Sequence, residues 1–181
     1  MDKEITQKED LVQKIVAIEW EMFHAVPNAG GQASCQRDPK TFEIMRSSQA
    51  MAWPEEVLES YHRDLVKAKM NQRNLMTEKY GWMMESTFPE EFYTKVKPYL
   101  PKLNPEAVKL VKNISALMMQ WTEEVYQTYP TVAEAGRPMD SVADSPLATS
   151  VETYFKGELK TYSLKTCLLY TSLPKWQQWQ A

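Results

Sequence analysis

Glycine, cysteine and histidine are all scarce in this chain, and each scarcity excludes something. Five glycines in 181 residues leave little material for tight hairpins. Two cysteines, Cys35 and Cys167, are too few for a disulfide framework, which points to a reducing compartment. Lysine and arginine number 21 against 24 aspartate and glutamate, a formal net charge of −3. No basic surplus exists to neutralise phosphates, which argues against nucleic acid as the main partner. No apolar run reaches membrane-spanning length. Residues 1–10 are charged and lack the apolar core of a signal peptide, so the expectation is a cytoplasmic protein that does not engage a membrane.

What is present is globular material, 43% hydrophobic and 25% charged. The length, residues 1–181, suits one domain with a sizeable core. Eleven methionines and six tryptophans suit adaptable packing. The pattern predicts an all-α fold, a single-domain bundle of about six helices. The first helix is predicted over residues 3–26 and is stopped by Pro27. Asp38 and Pro39 form a helix start, with Asp as N-cap and Pro at the first helical position. That helix ends near Trp53, and Pro54-Glu-Glu opens a third that reaches Met70. Residues 71–73 read as a joint before a helix over 74–86. A short helix follows Pro89, and a long one runs from Asn104 to about Tyr129. Residues 130–148 form a long connection, of a length often functional or mobile. A last long helix, capped by Thr149 or Ser150, is predicted to about Leu173, followed by a short tail over 174–181.

Projected at about 100° per residue, several helices carry an ionisable or amide side chain inside the apolar stripe. Glu19 falls among Val12, Ile15, Val16, Met22 and Phe23. Gln49 falls among Phe42, Met45, Ala52 and Trp53. Lys79 falls among Leu75, Met76, Tyr80 and Met83. Glu158 falls among Val151, Phe155, Tyr162 and Leu169. The helix after Asn104 is the internal control, because no ionisable residue breaks its stripe. Buried charge is costly unless paired and hydrogen-bonded. The four intrusions therefore predict an internal polar pocket, with Glu19 and Lys79 as partners and Glu158 facing the same cavity.

The candidate chemistry follows from residue type. An inward glutamate can serve as general acid or base, and a desolvated lysine as nucleophile or base. Glu19, Lys79 and Glu158 are thus the candidate catalytic groups. Arg46, Gln49, Tyr154 and Tyr162 are placed to orient a ligand. The loop between the first two helices adds Asn28 and Gln36 beside Gly30 and Gly31, without the Gly-Lys-Ser/Thr of a phosphate loop. Cys35 has no inward histidine to activate it. The hydroxyl-rich stretch around Gly157 permits close approach of another backbone or a ligand. A hydrogen-bonded core network is the plain structural counterpart of all these features.

Two Glu-x-x-His elements, Glu21 to His24 and Glu59 to His62, have the spacing of carboxylate-bridged metal helices. Glu21, His24 and Glu59 project away from the apolar stripes, so no metal ligand is assigned. Cofactors stay open.

Several blocks carry a resemblance. They are Ile18-Glu-Trp-Glu-Met-Phe23, Gly30-Gly-Gln-Ala-Ser-Cys-Gln36, Thr41-Phe-Glu-Ile-Met-Arg46 with Gln49 and Trp53, Asn74-Leu-Met-Thr-Glu-Lys-Tyr80, and the stretch from Thr149 through Ser163. Together they resemble a bacterial family known as domain of unknown function 4125. The resemblance implies a prokaryotic cytosolic protein and brings no activity, cofactor or catalytic residue with it. The leading expectation is an enzyme or binding protein for a small polar metabolite. The alternatives are a non-catalytic interaction module with a structural polar network, and a di-iron-like enzyme using carboxylates and histidines.

Overall fold

A computed structural model describes residues 6–28 and 30–171. The short tail lies outside the described residues. Among them the protein is all helical, with no strand and one isolated antiparallel bridge between Ser145 and Ala148. Nine α-helical segments are present rather than about six: α1 Gln7–His24, α2 Pro39–Met51, α3 Glu55–Met70, α4 Leu75–Thr87, α5 Pro89–Glu91, α6 Pro105–Thr128, α7 Pro130–Ala135, α8 Val151–Leu159 and α9 Leu164–Thr171. No helix among the described residues is long and apolar enough to cross a membrane.

The caps explain most of the boundaries. Thr6 accepts from the Glu9 amide while the Glu9 carboxylate accepts from the Thr6 amide, a reciprocal capping box. Asp38 caps α2 by accepting from the Thr41 amide at 3.0 Å. That amide and the Thr41 side chain hold the Asp38 carboxyl below the usual carboxylate range. The Asn74 side chain accepts from the Thr77 amide at 2.9 Å and donates to the Met22 carbonyl at 2.7 Å, so one residue starts α4 and ties it to α1. α3 ends in a Schellman arrangement: Arg73 donates to the Ala68 carbonyl and Gln72 to the Lys69 carbonyl. Gln72 pays for this turn with φ 55, a left-handed conformation usually left to glycine.

Two differences account for the higher helix count. The predicted last helix breaks at residues 160–163. There Ser163 accepts from the Thr166 amide and starts α9. The connection after α6 also holds helix α7. Between α5 and α6 the chain keeps winding but changes pitch, through a π turn at Phe92–Val96 and a 3₁₀ turn at Lys97–Tyr99. Pro98 lacks the N–H that an α-helical continuation requires.

The chain divides into two compact units. The first holds described residues up to Thr77 together with residues 168–171. In it α1 packs against α2 and α3. Its core includes Ile15, Leu58, Leu65 and Trp53, with Tyr61 and Tyr170 meeting the Trp53 ring edge-on at 5.6 and 5.8 Å. The second unit comprises residues 78–167, with α6 packed on α7 and α8. Its core includes Phe92, Val111, Ile114, Met118 and Leu159. Within it α8 crosses α4 closely at Gly157. A Cβ there would lie 2.7 Å from Met83 Cγ and 3.0 Å from the Lys79 carbonyl oxygen. Val111, Ile114, Ser115 and Met118 are buried, whereas Leu117 is exposed.

Candidate functional site

Glu19 sits mid-way along α1 with only 1% of its surface exposed. Its carboxylate accepts from Arg46 Nε at 2.8 Å on one oxygen and from Arg46 Nη2 on the other. Tyr61 on α3 donates to the same carboxylate at 2.7 Å. Arg46 also donates to the Gln49 side chain at 2.5 Å. The fork of the guanidinium matches a carboxylate at two points, the strongest form of such a pair. α1, α2 and α3 are thereby joined through one buried acid. Arg46 is a partner of Glu19 that the helical projection did not name. The arginine is close in sequence, on the neighbouring helix, and its planar fork fits where an ammonium makes a point contact.

Among the described residues, the predicted internal polar pocket is not found around Glu19. Ile15, Glu19, Arg46, Gln49, Trp53 and Tyr61 close around the ion pair without room for a water molecule. Gln49 is partly exposed at the edge of this cluster.

Lys79, 2% exposed, belongs to the second unit. Its ammonium donates to Glu158 at 2.7 Å and lies 3.7 Å from the centre of the Tyr154 ring. The ring face supplies a cation–π contact. Tyr162 donates to the other Glu158 oxygen at 3.0 Å. Each glutamate thus accepts from a cation and a tyrosine, Glu19 from Arg46 and Tyr61, Glu158 from Lys79 and Tyr162. Tyr154, Glu158 and Tyr162 share α8 and the turn after it, and Lys79 from α4 joins them.

Asn28 and Gln36 serve the end of α1. The Gln36 amide accepts from Asn28 and from the Ala33 amide, at 2.5 and 2.9 Å. It donates to the carbonyls of Phe23 and Val26, at 2.8 and 2.9 Å. All four of its hydrogen-bonding positions are engaged, and it satisfies carbonyls that a helix end leaves open.

The connection before α8 is likewise held in place. The Val151 and Glu152 amides donate to the carbonyls of Pro138 and Met139, and Ser150 caps the helix. Asp144 accepts from the Ser150 amide at 2.6 Å and the Thr153 hydroxyl at 2.5 Å. Burial alone pushes the Asp144 carboxyl up. Hydrogen bonds from Ser86, Thr153 and Ser150 outweigh this and hold it below the usual range.

The Glu-x-x-His elements are engaged elsewhere. Glu21 pairs with Lys69, and Glu59 lies 3.7 Å from Arg63. His24 bonds the Gln36 carbonyl at 3.0 Å. Burial, with Lys14 and Arg63, lowers the His62 pKa and favours the neutral ring. Among the described residues no three His, Cys, Asp or Glu side chains cluster as metal ligands do.

One feature escaped the helical projection, a groove between α1 and α2. Val12, Val16 and Trp20 form one wall, and Phe42, Glu43 and Ser47 the other. The cavity volume is about 250 Å³. Trp20 and Phe42 are half-buried and 5.3 Å apart, and Phe42 stacks on Phe23 at 5.0 Å. The projection reads Val12, Val16 and Phe42 as core. Only the way α1 and α2 diverge leaves space over them.

No curated protein and no solved structure matches the chain. The family model described as Protein of unknown function (DUF4125) matches residues 9–178, and the protein belongs to that family.

Proposed function

We propose that this protein binds a small organic molecule in the groove between α1 and α2. The observation that carries the reading is the groove itself, about 250 Å³ of space over half-buried aromatic and aliphatic side chains. A concave, mainly apolar site with a few polar groups at its edge is the usual form of a small-molecule site. The neighbouring Glu19–Arg46–Tyr61 cluster supports it in a second way. Arg46 and Ser47 are consecutive on α2, so the buried ion pair holds the helix that forms one wall. Glu19 is then a positioning residue that sets the width of the groove. The Lys79–Glu158–Tyr162 cluster of the second unit is read as a structural network, because its polar atoms are turned on one another.

The test is a panel of small aromatic and aliphatic fragments followed by ligand-observed NMR. Ala17 is exposed and lines the groove, so Ala17→Trp fills it from the rim without entering the core. Some fragments are expected to bind the wild-type protein and to be lost in the folded variant. Fragments that bind both proteins equally, or an absence of binders, would sink the reading.

A further inference from the structure

The groove has an electrostatic sign, and this sign narrows its ligand class. Glu43 is the one charged side chain among the described residues that line it. It is exposed at the mouth and makes no ion pair with a described residue. The nearest lysine on the same helix, Lys40, is not part of the lining. The positive end of α2 does not compensate, because Asp38 already occupies it as an ionised cap. Ser47, the hydroxyl in the lining, donates to the carbonyls of Glu43 and Ile44, at 2.6 and 3.3 Å. Trp20 on one wall and Phe42 on the other, 5.3 Å apart, add aromatic surface, and aromatic rings attract cations. An anion would meet a carboxylate, with no cationic side chain among the described residues of the lining.

Resting on the groove reading above, we infer that the ligand is a small hydrophobic cation, an aryl- or alkyl-ammonium compound. Its apolar part covers Val12, Val16 and Trp20, and its ammonium faces Glu43. Cation–π attraction and one exposed ion pair act together on such a ligand.

Three probes of similar shape separate charge from fit: 2-phenylethylammonium, 2-phenylethanol and 3-phenylpropanoate. Binding is followed by NMR through the Trp20 indole N–H, assigned with Trp20→Phe, in wild type, Glu43→Gln and Ala17→Trp. The ammonium is expected to bind about ten-fold tighter than the alcohol, with the carboxylate weakest. Glu43→Gln should cut that preference to about three-fold or less and leave the affinity for the alcohol unchanged. Equal affinities for ammonium and alcohol, both lost in Ala17→Trp, would overturn the ligand class while leaving the groove reading intact. A full ammonium preference retained in Glu43→Gln would also overturn it. No Trp20 response to any of the three would overturn both.

Discussion

Arg46 meets Glu19 at two points, with Nε donating to one carboxylate oxygen at 2.8 Å and Nη2 to the other. Both side chains are nearly out of solvent, at 11% and 1% exposure. Such a pair is costly to break and inexpensive to replace as a whole. Arg46→Met should therefore lower unfolding stability by about 3–5 kcal/mol, because it leaves the carboxylate buried without its cation. The double variant Glu19→Leu with Arg46→Met should recover most of that loss. Urea unfolding of the three proteins measures it. A single variant within 1 kcal/mol of wild type, on the order of a surface pair, would show that the clamp holds nothing.

At Gly157 the packing leaves no room for a methyl group. Alanine normally favours a helix over glycine, by roughly 1 kcal/mol. Here the new Cβ would press on Met83 and on the Lys79 carbonyl, neither of which is a free side-chain end. Gly157→Ala should destabilise by about 1–3 kcal/mol, with overpacking larger than the propensity gain. A rise in melting temperature would contradict the close crossing of α4 and α8.

Gln72 presents the opposite case. Its left-handed φ of 55 closes the Schellman turn at the end of α3. Glycine adopts this conformation without a Cβ penalty but gives the unfolded chain more freedom. The net expectation for Gln72→Gly is a gain of roughly 0.5–1 kcal/mol. Gln72→Val should lose stability, since a β-branched residue resists positive φ. Thermal melts of both variants decide it by the sign of each change.

Asp144 links stability to pH. Its folded pKa lies below the unfolded value, so the folded state favours the carboxylate. The stabilisation is fully present above the unfolded value of about 4 and is lost as pH falls through the folded value. Asp144→Asn should therefore be less stable than wild type at neutral pH. The gap should narrow steadily as pH falls below about 4. Melting temperatures of both proteins between neutral and acidic pH measure this. A gap that is constant with pH would mean that the hydrogen bonds from Ser86, Thr153 and Ser150 do not prefer the charged form.

Helix periodicity and caps were local properties of the chain, and they were legible without coordinates. Asp38, Asn74, Asn104 and Ser150 were readable as helix starts, and each bonds an amide two or three residues onward; the Thr6 cap, inside a helix expected from residue 3, was not. Glu19, Lys79 and Glu158 were marked for burial by their place in an apolar stripe, and all three are buried. Family membership was equally readable, since it lives in short blocks of residue types. The partners of the buried charges were not. Periodicity states that a side chain turns inward, and says nothing of which inward cation lies within 3 Å. Arg46 reaches Glu19 because α2 packs on α1, and Lys79 reaches Glu158 because Gly157 lets α8 close on α4. The break at residues 160–163 was hidden for a related reason. Its hydroxyls fit a helix interior by spacing, and Ser163 becomes a cap only when its side chain turns back to the Thr166 amide. The groove depended most on tertiary structure. Val12, Val16 and Phe42 are ordinary core residues by pattern, and the space over them comes from the way two helices diverge, which no single helix encodes.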